Sequence, residues 1–112
     1  MRVKVDAVDG HRVWFSCAAG RAEARWVGAL PVAGEHDVEL EVSGRVNVAG
    51  ETAEALEPGR LVARVEAIDD DGVVALRLSG GLVVLDEAGP ATRVGTFVEV
   101  SDARFELFPV QR

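Results

Sequence analysis

The sequence predicts an all-β protein, a single small barrel or sandwich of about eight to ten short antiparallel strands built from two pseudo-symmetric repeats, with at most one short helix between them. Three observations carry that expectation. Apolar residues recur with a period of two along most of the chain, the spacing of a strand with one buried face. Glycine, aspartate and proline interrupt the alternation at short intervals, as hairpin turns require. Finally, laying residues 3–42 on residues 63–102 without a gap brings Val5, Ala7, Asp9, Val13, Gly20, Val38 and Glu39 onto Val65, Ala67, Asp69, Val73, Gly80, Val98 and Glu99. Self-similarity of this kind is what an internal duplication leaves behind.

Taken in order, Val3, Val5 and Ala7 alternate with Arg2, Lys4 and Asp6, and Asp9-Gly10 supplies the first turn. Val13, Phe15 and Cys17 then alternate with Trp14, Ser16 and Ala18 up to Gly20. Ala22, Ala24 and Trp26 form the inward set of a third strand, and residues 28–35, with Pro31 and Gly34, read as a loop. The clearest strand spans residues 37–42, where Val38, Leu40 and Val42 face one way and Asp37, Glu39 and Glu41 the other. Gly44 is expected to bend or bulge it before Val46 and Val48 resume the inward face. Residues 51–57 combine helix formers with an acidic first turn and a Pro58-Gly59 stop, so one or two turns of helix are expected there.

The second half repeats the plan. Ala63, Val65 and Ala67 alternate with Arg64 and Glu66, and Asp69-Asp70-Asp71-Gly72 forms an acidic turn. In the strand that follows, Val74, Leu76 and Leu78 read as buried, opposite in phase to Phe15 and Cys17; a turn slipped by one residue or a strand covered on both faces would produce this. Residues 82–85 are apolar throughout and are expected to be central, residues 97–100 match residues 37–40, and a last strand runs over 104–110 with Pro109 marking an edge or an end. This element order is similar to that of a small Greek-key barrel of the oligonucleotide/oligosaccharide-binding type, which implies a fold and no activity.

At 112 residues and 48% hydrophobic, the chain suits one domain over 1–112, with repeat 1 over about 1–48, a linker over 49–60 and repeat 2 over about 61–112. Cys17 is the only cysteine, so no intramolecular disulfide framework is available. Nothing near Met1 resembles a secretory signal and no apolar run is long enough to span a bilayer, which makes the expected location cytoplasmic. Arginine supplies eleven of the twelve basic residues, the codon bias of a GC-rich genome and an indication of bacterial origin.

Charge excludes more functions than any motif. Residues 1–56 carry six basic against nine acidic side chains and residues 57–112 six against ten, giving −7 in all. Lys and Arg supply most non-specific nucleic-acid affinity, and anionic membrane surfaces select for the same residues, so neither is an expected partner. No catalytic, cofactor-binding or metal-ligating pattern is present: His36 and Asp37 are adjacent and point to opposite faces of a strand, and Cys17, His11 and His36 lack ligand spacing. Cys17 reads as a buried apolar cysteine. The contiguous carboxylates Asp69, Asp70 and Asp71 do not alternate as calcium ligands do.

What remains is an acidic row. Glu35, Asp37, Glu39 and Glu41 crowd one strand, successive members of the polar side standing about 7 Å apart. Its simplest role is solvation of an apolar protein. Its functional reading is a docking face for a basic protein, with Trp14 and Trp26 as candidate anchors. The expectation is thus a non-enzymatic acidic binding protein acting through protein contacts, of the inhibitor or immunity type. The alternatives are a β-barrel that binds a small molecule or sugar, and a structural module assembling through strand edges into a homodimer or larger ring.

Overall fold

The computed structural model describes residues 1–90 and 92–110, and in it the chain is all-β. The described residues form nine strands and no helix: β1 (Arg2–Asp9), β2 (Arg12–Cys17), β3 (Gly20–Trp26), β4 (Gly34–Val48), β5 (Ala55–Glu57), β6 (Arg60–Ile68), β7 (Val74–Leu78), β8 (Gly81–Leu85) and β9 (Phe97–Pro109). All nine belong to one sheet that closes in a ring.

Two circuits of pairing achieve the closure. In the first, β1, β2 and β3 form antiparallel hairpins, β3 runs parallel to β9 at Arg25↔Glu106 and Trp26↔Leu107, and β4 returns antiparallel to β1 from Arg2↔Asp37 to Val5↔Gly34. In the second, β6, β7 and β8 form hairpins, β8 runs parallel to β4 from Leu40↔Val83 to Val42↔Leu85, and β6 pairs antiparallel with β9. The long strands β4 and β9, paired with each other from Val38↔Pro109 to Val48↔Val98, belong to both. Because β8 takes β4 as its neighbour, the second half does not form a Greek-key barrel of its own.

The period-two pattern explains the core. Val3, Val5, Val13, Phe15, Ala22, Ala24, Val38, Leu40, Val42, Val83, Leu85, Phe105 and Leu107 all point inward as the alternation requires and join one continuous hydrophobic cluster. Phe15 and Phe105 meet edge to face with ring centroids 6.1 Å apart. Burial of each large side chain is worth about 1.5–3 kcal/mol, which makes this cluster the dominant favourable term in folding.

Where the structure departs from the sequence reading, the causes are local. Residues 51–57 form no helix; Ala55–Glu57 is the strand β5, which turns through Pro58-Gly59 to pair with β6 and buries Leu56. A seven-residue helix would leave nearly all of its terminal backbone groups unbonded, so strand pairing prevails. Ala7 and Ala67 are exposed because β1 and β6 each carry an irregularity of register, between Val5 and Ala7 and between Val65 and Ala67, which turns the following residue outward. Val74, Leu76 and Leu78 are buried as expected, and the reason for their phase is turn length: four residues separate the paired Val8 and Val13, whereas five separate the corresponding Ile68 and Val74. Gly44 does sit at an irregularity of β4, but beyond it Val46 is half-buried and Val48 exposed, so the inward face is not resumed. Leu82 is exposed, and β8 is central only in having β7 and β4 on its two sides.

A further link between the halves is a close approach of β3 to β5. Gly20, at the start of β3, pairs with Leu56, and a Cβ at Gly20 would stand 2.0 Å from the Leu56 carbonyl oxygen. No described helix is long and apolar enough to cross a membrane.

Candidate functional site

The outer face of β4 carries the acidic row, and the strand pairings divide it in two. At the end near β1, the Arg2 guanidinium reaches Glu35 at 3.4 Å and Asp37 at 3.3 Å, so this half is neutralised from within. The two carboxylates in turn hold Arg2 in its charged form, raising its pKa. At the other end, Glu39 and Glu41 have neither an ion pair nor a hydrogen bond among the described residues.

Two acidic residues from elsewhere in the chain join Glu39 and Glu41. Glu106 of β9 lies directly opposite Glu41, and Asp86 follows the end of β8, where Leu85 pairs with Val42. Partial burial raises the Glu41 carboxyl above the ordinary glutamate range, and the charges of Asp86, Glu39 and Glu106 push it the same way. Glu106 has a cation 3.6 Å away in Arg25; Asp86 has none among the described residues. Asp86 and Glu106 were not legible as members of this patch, because only the parallel β4–β8 and antiparallel β4–β9 pairings bring them there. A polar residue alternating with Phe105 and Leu107 was the one available hint for Glu106.

A test follows for Glu41. Its raised folded-state pKa means that the ionised carboxylate opposes folding, fully above that pKa and not at all below the unfolded value of about 4.3. Glu41→Gln is therefore expected to raise the thermal midpoint at pH 7, with the gain shrinking to nothing below about pH 4. A pH-independent effect, followed by circular dichroism, would contradict the assignment.

The tryptophans part company. Trp26 is 4% exposed and serves the core. Both histidines brace its segment: His36 meets the indole edge on with centroids 5.0 Å apart and donates from Nε2 to the Val32 carbonyl at 2.7 Å, and His11 donates from Nδ1 to the Trp26 carbonyl at 3.1 Å. Trp14 is half-buried on β2 with the Arg21 guanidinium 5.3 Å over its ring, and β1 separates its strand from β4. The structure therefore does not gather Trp14 and Trp26 onto the acidic row. Cys17 is half-buried rather than buried, and its sulfur accepts a 3.4 Å contact from the Ser79 hydroxyl.

A second concavity lies beside the acidic patch. A groove of about 810 Å³ opens where β3 has left β5 and has not yet joined β9; His11, Arg12, Glu23, Arg25, Arg104 and Glu106 are among its walls. Among the described residues no three His, Cys, Asp or Glu side chains are placed to hold a metal ion. No family model matches this chain, and comparison with curated proteins and with solved structures gives no match either.

Proposed function

We propose that this is a non-enzymatic binding protein that docks a basic protein partner through Glu39, Glu41 and Asp86. The observation that carries the proposal is that these three carboxylates stand together without a cation partner among the described residues, although the fold neutralises Glu35, Asp37 and Glu106 nearby. Like charges held together in a partly desolvated place oppose folding, and a cationic partner would turn that cost into complementarity. Glu35 and Asp37, already engaged by Arg2, form the rim of the face. Trp14, with surface still open, is the available aromatic contact beyond it.

The same proposal extends to architecture. We infer that the two circuits are small barrels descended from one duplicated unit. The irregularities of β1 and β6 fall at Val5/Ala7 and Val65/Ala67, 60 positions apart, and the buried Val13 and Phe15 correspond to Val74 and Leu76 once the longer turn is allowed for. In each half the third strand of the meander runs parallel to the long strand of the other half.

Charge reversal tests the function. The double variant Glu39→Arg/Glu41→Arg is expected to lose a basic protein that the wild-type chain retains from native lysate at low salt, and the wild-type complex is expected to dissociate as salt rises. Recovery of the same proteins by both chains would end this reading.

A further inference from the structure

We propose that the groove between β3 and β9 binds a small anionic ligand through Arg104, one whose carboxylate or phosphate oxygens the guanidinium can grip. Every other described arginine has an engagement. Arg2, Arg12, Arg25, Arg45, Arg60, Arg64 and Arg77 form ion pairs, Arg21 lies over Trp14, and Arg93 donates to the carbonyls of Pro90 and Thr92. The Arg104 side chain alone has no carboxylate, ring or hydrogen-bond partner among the described residues, and it stands in the wall of the groove.

The groove around it is built to receive an anion. Its walls also hold Arg12 and Arg25, but these are paired with the wall glutamates Glu23 and Glu106, which leaves Arg104 as the wall cation without a counter-charge among the described residues. Ser43 pairs with Arg104 across β4 and β9 and offers a hydroxyl on the same rim. A backbone donor is also free. The Trp26 N–H bonds to the His11 carbonyl, so in the β2–β3 ladder the alternate residue Glu23 directs its N–H and C=O away from β2. On that side β3 meets β5 only at Gly20 and β9 only from Arg25 onward, which leaves the Glu23 amide facing the groove. Guanidinium, hydroxyl and amide together make a donor set for oxyanions.

Amide chemical shifts measured by NMR at constant ionic strength, with inorganic phosphate in one titration and succinate in another, test the site. The expected result is saturable movement of the Glu23, Gly59, Ala103 and Arg104 amides with at least one probe. Binding should be roughly tenfold weaker in Arg104→Gln and unchanged in Arg64→Gln, since Arg64 lies outside the groove. Saturation with phosphate alone assigns a phosphate-bearing ligand, with succinate alone a carboxylate. Movement that grows linearly with both probes, or that persists equally in Arg104→Gln, overturns the proposal. The Arg104 side chain has no ion pair, ring contact or hydrogen bond among the described residues, so the variant's spectrum is expected to stay dispersed. Neither titration involves the basic partner proposed above, so the two readings fail separately.

Discussion

Gly20→Ala is expected to remove about 3–5 kcal/mol of stability, a large part of the total for a domain of this size. Two effects combine. Gly20 has φ of 145°, a region that residues with a side chain rarely enter, and its missing Cβ would lie 2.0 Å from the carbonyl oxygen of Leu56. That oxygen belongs to backbone held in the β5–β6 pairing, so it cannot swing aside as a flexible side chain would. Gly80→Ala supplies the comparison: its φ is 77°, but nothing lies within 4 Å of the added methyl, and the cost should be only about 1–2 kcal/mol. Urea denaturation of the two variants measures the difference. Equal midpoints would show that the approach of β3 to β5 is not what Gly20 serves.

Leu40→Ala is expected to cost a further class of energy, about 3–5 kcal/mol, through the cavity it opens. Leu40 is fully buried at the point where β4 pairs with Leu107 on one side and Val83 on the other. It therefore touches both circuits at once, and its loss should lower a single unfolding transition. Tryptophan fluorescence, from Trp14 of β2 and Trp26 of β3, reports on the first circuit and far-ultraviolet circular dichroism on the whole sheet. Coincident midpoints are expected from the two probes, and a separation between them would mean that the circuits melt independently.

The sequence was most legible where burial alone decides. Val38, Leu40 and Val42 alternate with acidic residues, and no arrangement of that strand other than the observed one buries its apolar side. The phase of Val74, Leu76 and Leu78 was readable for the same reason, and its cause, a turn one residue longer at residues 69–73, was one of the two alternatives the sequence left open. Pairing was less legible than burial. Nothing local in Val83 or Leu85 says that they run parallel to Leu40 and Val42, because that register is set by which strands are left to close the circuit. The candidate site inherits the same limit. Glu39 and Glu41 could be found from alternation within one strand, but Asp86 and Glu106 reach them only through non-local pairing, and Arg2 neutralises Glu35 and Asp37 from a strand more than thirty residues away in sequence. Residues 51–57 failed for the opposite reason: local propensity favoured a helix, and the pairing of Leu56 with Leu61 overrode it.

The membership of β9 in both circuits bears on how the chain is made. β9 is the last of the nine strands to leave the ribosome, and until it does, β3 lacks its second neighbour at Arg25 and Trp26, β6 lacks one of its neighbours over residues 60–64, and β4 lacks its longest neighbour. The N-terminal half cannot close its circuit while the rest is being translated, even though its three-stranded meander is already present. The nascent sheet thus carries open strand edges until β9 emerges, and that single strand is the closing piece for both halves.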